Sequence, residues 1–249
     1  MDSLVYRYDG SFPGLMCCVF EAIARKEHPA AILPPDGDAT LYPEREIVTH
    51  PVRAARVLTA IPKKISPRAL RLVQYGYLTC DPRRELLVVE FLRLGFEKGG
   101  RVTGLLQDNR VSDLLKAVGH LEREAHLLTG FVRFSIQGEV MAAVIAPKNM
   151  VLPLLAPHFR SRFPADSFLL YDKTHQMAYF YQNGREEFAG VEELTLPPAS
   201  PEEVAFRRMW KRYYDTVAIA QRENPVCRRT HMPKRYWNWL TEMQPENNS

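Results

Sequence analysis

The spacing of apolar residues changes once along this chain, and that change constrains the fold more than any other feature. Over residues 111–128, apolar side chains recur every three or four positions, which is typical of an amphipathic helix. Beyond Gly130 they alternate with polar neighbours over residues 132–136, which is typical of a strand. Helices and strands must therefore share this fold.

Later segments extend the pattern. Residues 140–145 predict a buried strand, residues 168–171 and 177–181 predict a hairpin, and Asn183-Gly184 predicts another tight turn. A helix is predicted over residues 149–163, irregular or broken because of two internal prolines. We predict the α+β class, with a largely helical N-terminal half plus an antiparallel sheet in an α-ββ-α-ββ-α unit. Because the strands come as hairpins, the sheet should be largely antiparallel.

The N-terminal half predicts a short strand over residues 4–8 and a helix that begins at Ser11. Residues 27–46 contain four prolines and are predicted to be irregular. Cys17 and Cys18 lie in the apolar stripe of the first helix, so we assign them to the core. We predict two regions: a mostly helical one over residues 1–108, and an α+β domain over 109–249 with a long C-terminal helix and a basic aromatic tail.

Cysteine usage and hydropathy exclude several classes of protein. The chain has four cysteines and no CxxC spacing, which argues against a disulfide framework or a thiolate zinc site. We predict neither a metal nor a cofactor. No basic segment followed by an apolar core marks a secretory signal, and no apolar run approaches the roughly 18 residues of a membrane span. The expectation is a cytoplasmic protein without a membrane partner.

The net charge of +4 is modest, but the cations are clustered. The N-terminal basic cluster contains no acid and comprises Arg53, Arg56, Lys63, Lys64, Arg68 and Arg71. The C-terminal basic cluster is opposed only by Asp215 and Glu223 and comprises Arg207, Arg208, Lys211, Arg212, Arg222, Arg228, Arg229, Lys234 and Arg235. Such clusters favour an anionic partner.

The tail over residues 228–239 combines cations with large aromatics. Arginine pairs with phosphates through two hydrogen bonds, and tyrosine or tryptophan rings stack on unpaired bases. The predicted nucleic-acid-binding residues of the tail are Arg228, Arg229, Lys234, Arg235, Tyr236 and Trp237. The alternative is that the aromatics only anchor the tail to the body while its cations stay solvated.

The long helix offers a second set of cations. Ser200 caps it and Glu203 is expected to complete a capping box. Arg208 and Arg212 are a like-charge pair one turn apart, on the face away from the apolar stripe, which favours a bound anion over an isolated helix. The stripe is predicted to face inward and contains Phe206, Met209, Trp210, Tyr213, Tyr214 and Val217. A solvated helix face is the simpler alternative.

Lys63 and Lys64 lie in a predicted basic loop that precedes a helix capped at Ser66. Backbone N–H groups at a helix N-terminus attract phosphate, so this loop is a candidate phosphate site. An ordinary solvated surface explains the same residues.

Signals for catalysis are weak. The chain has no HExxH, GxSxG or phosphate-loop motif. Glu124, His126, His158 and Asp172 are the candidate catalytic residues, with Glu124 or His126 as a general base. Each also has a simpler explanation: a helix-surface histidine, or an aspartate that stabilises a turn.

Eight short motifs resemble those of one uncharacterised bacterial family. They are Tyr8-Asp9-Gly10-Ser11-Phe12, Lys63-Lys64-Ile65-Ser66, Leu92-Arg93-Leu94-Gly95-Phe96, Arg123-Glu124-Ala125-His126, Gly130-Phe131-Val132-Arg133-Phe134, residues 151–159, Tyr171-Asp172-Lys173 and Met232-Pro233-Lys234-Arg235-Tyr236-Trp237. The family is grouped with DNA metabolism and DNA repair; its members are encoded beside a radical-SAM protein, and some are fused to a uracil-DNA-glycosylase-like domain. The resemblance implies a DNA-processing role with that radical-SAM protein as partner.

Three functions remain open from the sequence. The first is a nucleic-acid-binding accessory protein in DNA repair or base modification, with DNA, including single-stranded DNA, as its ligand. The second is an enzyme that acts on a nucleotide or a nucleic-acid base. The third is a protein–protein adaptor whose basic tail meets an acidic partner surface without touching DNA.

Overall fold

A computed structural model describes residues 4–217 and 224–244. The chain divides into two compact units, unit 1 over Met1–Leu121 and unit 2 over Glu122–Ser249. The class is α+β, as predicted, and the N-terminal half is mostly helical. Each unit is described below by itself.

Unit 1 contains a small parallel sheet that the sequence did not predict. Its strands, in the order β2-β1-β3, are β1 (Val5–Arg7), β2 (Ala31–Leu33) and β3 (Glu44–Glu46). Both partners run parallel to β1. The prediction that residues 27–46 are irregular is therefore wrong at both ends of the segment. Three-residue strands separated by prolines are too short to show an alternating pattern.

Five helices lie wholly or partly in unit 1. They are α1 (Phe12–Arg25), α2 (Pro51–Lys64), α3 (Pro67–Tyr77), α4 (Arg84–Lys98) and α5 (Asn109–Phe131), and a 3-10 helix (Gly99–Gly104) follows α4. Ser11 and Ser66 cap α1 and α3 as predicted, because each hydroxyl accepts a backbone N–H three residues on. Helix α5 contributes residues to both units.

The core of unit 1 is formed by residues of α1, α2, α3, α4, the first half of α5 and the sheet. Its fully buried side chains include Leu15, Met16, Val88, Phe91 and Leu92. Cys17 and Cys18 are buried in the same cluster, which confirms their assignment to the core. Burial raises the pKa of the Cys18 thiol, so this cysteine is held in its protonated form.

Unit 2 is built on a five-stranded sheet in the order β4-β5-β6-β7-β8. The strands are β4 (Ser135–Gln137), β5 (Val140–Ile145), β6 (Ser167–Asp172), β7 (Met177–Gln182) and β8 (Arg185–Gly190). Three neighbouring pairs are antiparallel, but β5 and β6 are parallel. The prediction of an antiparallel sheet needs this correction, because helix α6 (Leu152–Arg162) returns the chain to the end where β5 began.

Local predictions in unit 2 are mostly confirmed. Asn183 and Gly184 have φ values of 50° and 79°, the positive pair that a two-residue hairpin turn requires. The helix predicted over residues 149–163 is α6; it is continuous with Pro157 inside it, which excludes the second of the two alternatives, a helix broken in two. The strand predicted over residues 132–136 is limited to β4, and Ile136 is exposed. The alternating pattern predicts a strand here, but it does not show at which residue the hydrogen bonds between β4 and β5 begin.

Helix α7 (Pro201–Val217) gives the largest correction. Ser200 caps it by accepting the backbone N–H of Glu203. The capping box is incomplete, because the Glu203 carboxylate instead accepts from Ile136 N and from Arg207 Nε. Its predicted inner stripe is exposed: Phe206, Met209 and Tyr213 are 57%, 62% and 58% accessible. An amphipathic pattern identifies the apolar face of a helix but not whether the chain covers it.

Candidate nucleic-acid interface

The basic aromatic tail folds as part of unit 2. We call residues 224–244 the C-terminal segment. It contains α8 (Pro225–His231) and two 3-10 helices, Lys234–Trp239 and Thr241–Met243. Asn224 caps α8 by accepting the backbone N–H of Cys227 at 2.9 Å. Arg222 of the C-terminal basic cluster lies outside the described residues.

A buried carboxylate fastens this segment to the body of the unit. Glu124 is 2% exposed and lies on α5. Its Oε1 accepts from Tyr236 Oη at 2.7 Å and from Arg235 Nη2 at 2.9 Å. The same carboxylate accepts the backbone N–H groups of Lys148 and Asn149 and the side-chain amide of Asn149. Five donors therefore converge on one carboxylate, which we call the Glu124 anchor.

Electrostatics keep the Glu124 anchor charged. Burial alone would raise the pKa of Glu124, but hydrogen bonds from Tyr236, Lys148 and Asn149 outweigh it, and the pKa lies below its ordinary value of 4.5. Burial and the hydrogen bond to Glu124 raise the pKa of Tyr236, which stays a donor. A carboxylate with all these partners is poorly suited to accept a proton from a substrate, so the anchor role explains Glu124 better than a general base.

A second buried carboxylate holds the end of the segment. Glu242 accepts from Arg133 Nη2 at 2.7 Å and from Trp210 Nε1 at 3.0 Å. Burial alone would raise its pKa, but the hydrogen bonds, led by that from Arg133, hold the pKa of Glu242 below its ordinary value. Since Trp210 belongs to α7, the Glu242 anchor joins the C-terminal segment to this helix.

Some of the segment remains at the surface. Trp237 is half-buried and donates its indole N–H to Met232 O at 3.0 Å. The Arg228 guanidinium and the Lys234 ammonium lie 5.6 and 5.8 Å from the centre of its ring. Arg229 and Lys234 are exposed. Tyr236, by contrast, is only 1% exposed and has no accessible face on which a base can stack.

The uncovered face of α7 borders a groove of about 660 Å³ in unit 2. Apolar side chains line most of the groove: Phe134, Phe206, Met209, Trp210 and Tyr213. The rings of Trp210 and Tyr213 lie 5.7 Å apart, and the Arg133 guanidinium lies 5.6 Å from the Trp210 ring. We call this face, with Arg208 and Arg212 beside it in sequence, the α7 surface.

The cations of unit 2 divide into two groups. Arg133, Arg207 and Arg235 form salt bridges with buried carboxylates, and Lys211 donates to Gln244 O at 2.9 Å. Among the described residues, Arg208, Arg212 and Lys234 form no salt bridge, and all three are exposed. The second group is available to an external anion.

The N-terminal basic cluster belongs to unit 1. Lys63 and Lys64 are exposed in the last turn of α2, so they lie on a helix rather than in the predicted loop. Arg53 pairs with Glu21, and Arg71 lies over the Tyr75 ring. The cluster is therefore only partly free for a ligand.

The catalytic candidates lie in different environments. Glu124 is buried in its anchor, whereas His126 on α5 and His158 on α6 are exposed. Asp172 is 1% exposed, and its Oδ2 lies 2.7 Å from His175 Nδ1. Its other oxygen accepts the backbone N–H groups of Thr174 and His175. This pair orients one imidazole, but none of the four candidates lines the α7 groove.

Sequence reasoning missed three residues that organise unit 2: Arg133, His175 and Glu242. Arg133 is one of the polar neighbours in the alternating stretch, and no sequence pattern predicts a role for Glu242. His175 follows Asp172 by three residues, a spacing that places a side chain back over an aspartate turn. That spacing was a usable signal; nothing local indicated the Arg133–Glu242 pair, which joins residues 109 positions apart.

Two further observations concern the described residues of both units. Within residues 4–217 and 224–244, no group of three or more histidine, cysteine, aspartate or glutamate side chains is placed to hold a metal ion. Across the same described ranges, no helix combines the length and the apolar character needed to cross a membrane.

Comparison with known families adds one finding. A family model described as a domain of unknown function, DUF4130, matches residues 82–242. The match spans more than half of the 249 residues and includes both anchors and the α7 surface. No match was found among curated proteins.

Proposed function

The chain belongs to the DUF4130 family of domains of unknown function, and we propose that it binds single-stranded nucleic acid through unit 2. One observation carries the proposal: the aromatic stripe of α7 is exposed, and the same helix has, on the face away from the stripe, Arg208 and Arg212, which are exposed and form no salt bridge among the described residues. Exposed rings offer stacking faces for unpaired bases, and arginines offer donors to phosphates. The C-terminal segment adds Trp237 with its two cations.

The two anchors support the proposal because they identify which cations stabilise the fold and which are available to bind phosphate. Arg133, Arg207 and Arg235 neutralise buried carboxylates and are therefore not counted as phosphate contacts. Arg208, Arg212, Arg229 and Lys234 are counted. The family resemblance in the sequence adds DNA as the polymer and a radical-SAM protein as the partner, and both belong to the proposal.

The test is a fluorescence-anisotropy titration of the full chain with single-stranded DNA, duplex DNA and RNA over a salt series. Single-stranded DNA should bind more tightly than duplex DNA, with an affinity that falls as salt rises. The double variant Arg208→Gln/Arg212→Gln should flatten the slope of log K against log salt by about 1.4, since each lost contact to a single strand contributes about 0.7. Arg229→Gln/Lys234→Gln should act in the same direction.

A matched control comes from α6. Arg160→Gln/Arg162→Gln removes the same charge from two exposed side chains of another helix of unit 2, of which Arg160 is paired with Glu186, and should leave the slope unchanged. Tyr213→Ala should weaken binding by about 5- to 160-fold, the equivalent of roughly 1–3 kcal/mol for one stacked base. If the α6 and α7 double variants flattened the salt slope equally, overall charge would explain the binding, and the α7 surface would be rejected as the binding site.

A second candidate function is the protein–protein adaptor, because the α7 groove is mostly apolar and residues of this kind anchor protein interfaces. An adaptor predicts no affinity for any of the three nucleic acids. It also predicts that the radical-SAM protein binds wild type and loses affinity when Phe206 and Met209 are changed to serine. The same titrations therefore distinguish the two functions.

A further inference from the structure

Unit 1 contains a cavity lined by several charged side chains. Its volume is about 350 Å³, and it lies where the end of α1 meets α4 and the start of α5. Its charged and titratable lining residues are Lys26, His28, Glu90, Arg93, Glu97 and Arg110. Apolar residues, including Ile23 and Phe96, complete the wall.

Arg93 has the least usual environment among these residues. The side chain is half-buried, and its two terminal nitrogens lie 2.6 Å from the two ring nitrogens of His28. A neutral imidazole accepts a hydrogen bond at only one nitrogen, so one guanidinium N–H is left without an acceptor there. Among the described residues, Arg93 forms no salt bridge.

Several other arginines of unit 1 have a carboxylate partner, which Arg93 lacks among the described residues. Carboxylates pair with Arg7, Arg53, Arg84 and Arg110 at 2.6–2.8 Å. Burial lowers the pKa of Arg93, Arg110 adds to that effect, and Glu90 only partly opposes it. A partly buried guanidinium beside a second cation is stabilised when an anion enters the cavity.

A second cavity of about 340 Å³ shares two wall residues with the first, Ile23 and Phe96. Its remaining lining includes Phe20, Arg56 and Lys64. The Arg56 guanidinium lies 5.8 Å from the centre of the Phe20 ring. The two cavities therefore adjoin at Ile23 and Phe96, and we call them together the groove of unit 1. Cations line both parts, and Glu90 and Glu97 line the first. Each cavity is of the size typical of small-ligand sites, roughly 300–1,000 Å³.

We propose that this groove of unit 1 binds a nucleotide, with a phosphate on Arg93 and the base against Ile23 and Phe96. Lys26 and Arg110 add positive charge at the phosphate end, and Arg56 and Lys64 receive a second phosphate. Glu90 and Glu97 accept hydrogen bonds from ligand hydroxyl or amino groups. This site is independent of the proposed nucleic-acid surface of unit 2.

The test is isothermal titration calorimetry of the full chain with three probes: adenosine, adenosine 5′-monophosphate and adenosine 3′,5′-bisphosphate. Affinity should rise at least tenfold from adenosine to the monophosphate, and again to the bisphosphate. Arg93→Gln should remove at least tenfold of the monophosphate affinity. Arg83→Gln, an exposed arginine outside both cavities, should change it less than twofold.

Further variants separate the outcomes. Arg56→Gln/Lys64→Gln changes exposed side chains and should reduce the bisphosphate affinity to that of the monophosphate, which tests the groove even if Arg93→Gln folds poorly. Arg208→Gln/Arg212→Gln should leave all three affinities unchanged, so failure of one proposal does not imply failure of the other. Equal binding of adenosine and its monophosphate, or wild-type affinity in folded Arg93→Gln, would overturn the inference.

Discussion

Two aromatic stretches of unit 2 look alike in sequence but differ in how far their side chains are buried. The C-terminal segment has Tyr236 beside Arg235, and α7 has Trp210 beside Lys211. Tyr236 is buried, with its hydroxyl on the Glu124 carboxylate, whereas Trp210 is 41% exposed at the edge of a groove. The first stretch serves mainly to hold the fold together, and the second is left uncovered.

The difference lies in where a buried carboxylate is found. Glu124 receives five donors and forces its partners inward, because an unpaired charge in the interior is costly. Along α7 the one buried residue is Glu203, at the N-terminal end, and of the stripe beyond it Trp210 alone donates to a buried carboxylate, through its indole N–H to Glu242. Phe206, Met209 and Tyr213 have no polar group that a buried carboxylate holds, and they remain exposed. Basic aromatic segments therefore divide into anchors and binding surfaces according to their acidic partners.

Removing the Glu124 anchor should give the largest effect. Glu124→Ala leaves the Tyr236 hydroxyl and two backbone N–H groups buried without an acceptor, so we expect a loss of about 3–5 kcal/mol in unfolding free energy. Urea unfolding followed by tryptophan fluorescence reports unit 2 alone, because all three tryptophans lie in it. The exposed Glu139→Ala is the control; a comparably stable Glu124→Ala would show that the anchor is dispensable.

Removing the Glu242 anchor should cost less, about 2 kcal/mol, because it has fewer donors and Arg133 is partly exposed to water. Glu242→Ala frees the contact between α7 and the end of the C-terminal segment. Hydrogen exchange should show faster exchange in α7 and in Thr241–Met243, with little change at β6. Uniform acceleration across the sheet would mean that this pair stabilises the whole unit instead.

Both anchors should weaken in acid. The folded-state pKa values of Glu124 and Glu242 lie below the ordinary value of 4.5, so their stabilisation is fully present above that pH. It is lost as pH falls through the lower folded-state values, because the unfolded chain then binds more protons. The fluorescence-detected stability of wild type should fall steeply below about pH 4.5. Glu124→Gln/Glu242→Gln should show a shallower fall, and an identical slope would assign the acid sensitivity to other groups.

The sequence predicted these regions unequally, for physical reasons. Caps at Ser11, Ser66 and Ser200 are local interactions over three residues and were found. The parallel pairing of β5 with β6 depends on the path of the chain through α6, and no periodicity encodes that path. Glu124 was singled out, but as a base: its neighbours in sequence do not show that Tyr236 and Arg235 lie on it. The α7 stripe was recognised as apolar, yet exposure is decided by elements elsewhere.

Variants of the α7 stripe should have the smallest effect on stability. They test directly whether α7 and the C-terminal segment differ in function. Phe206→Ser/Tyr213→Ser removes two rings that are more than half exposed, so the free energy of unfolding should change by less than about 1 kcal/mol. The same variant should lose most of the affinity for single-stranded DNA, since its stacking faces are gone. Tyr236→Phe should do the reverse, costing roughly 1–3 kcal/mol in stability by leaving Glu124 short of a donor, with little change in affinity. Loss of stability in the α7 variant comparable to that of Tyr236→Phe would mean that the stripe is covered in solution and serves the fold.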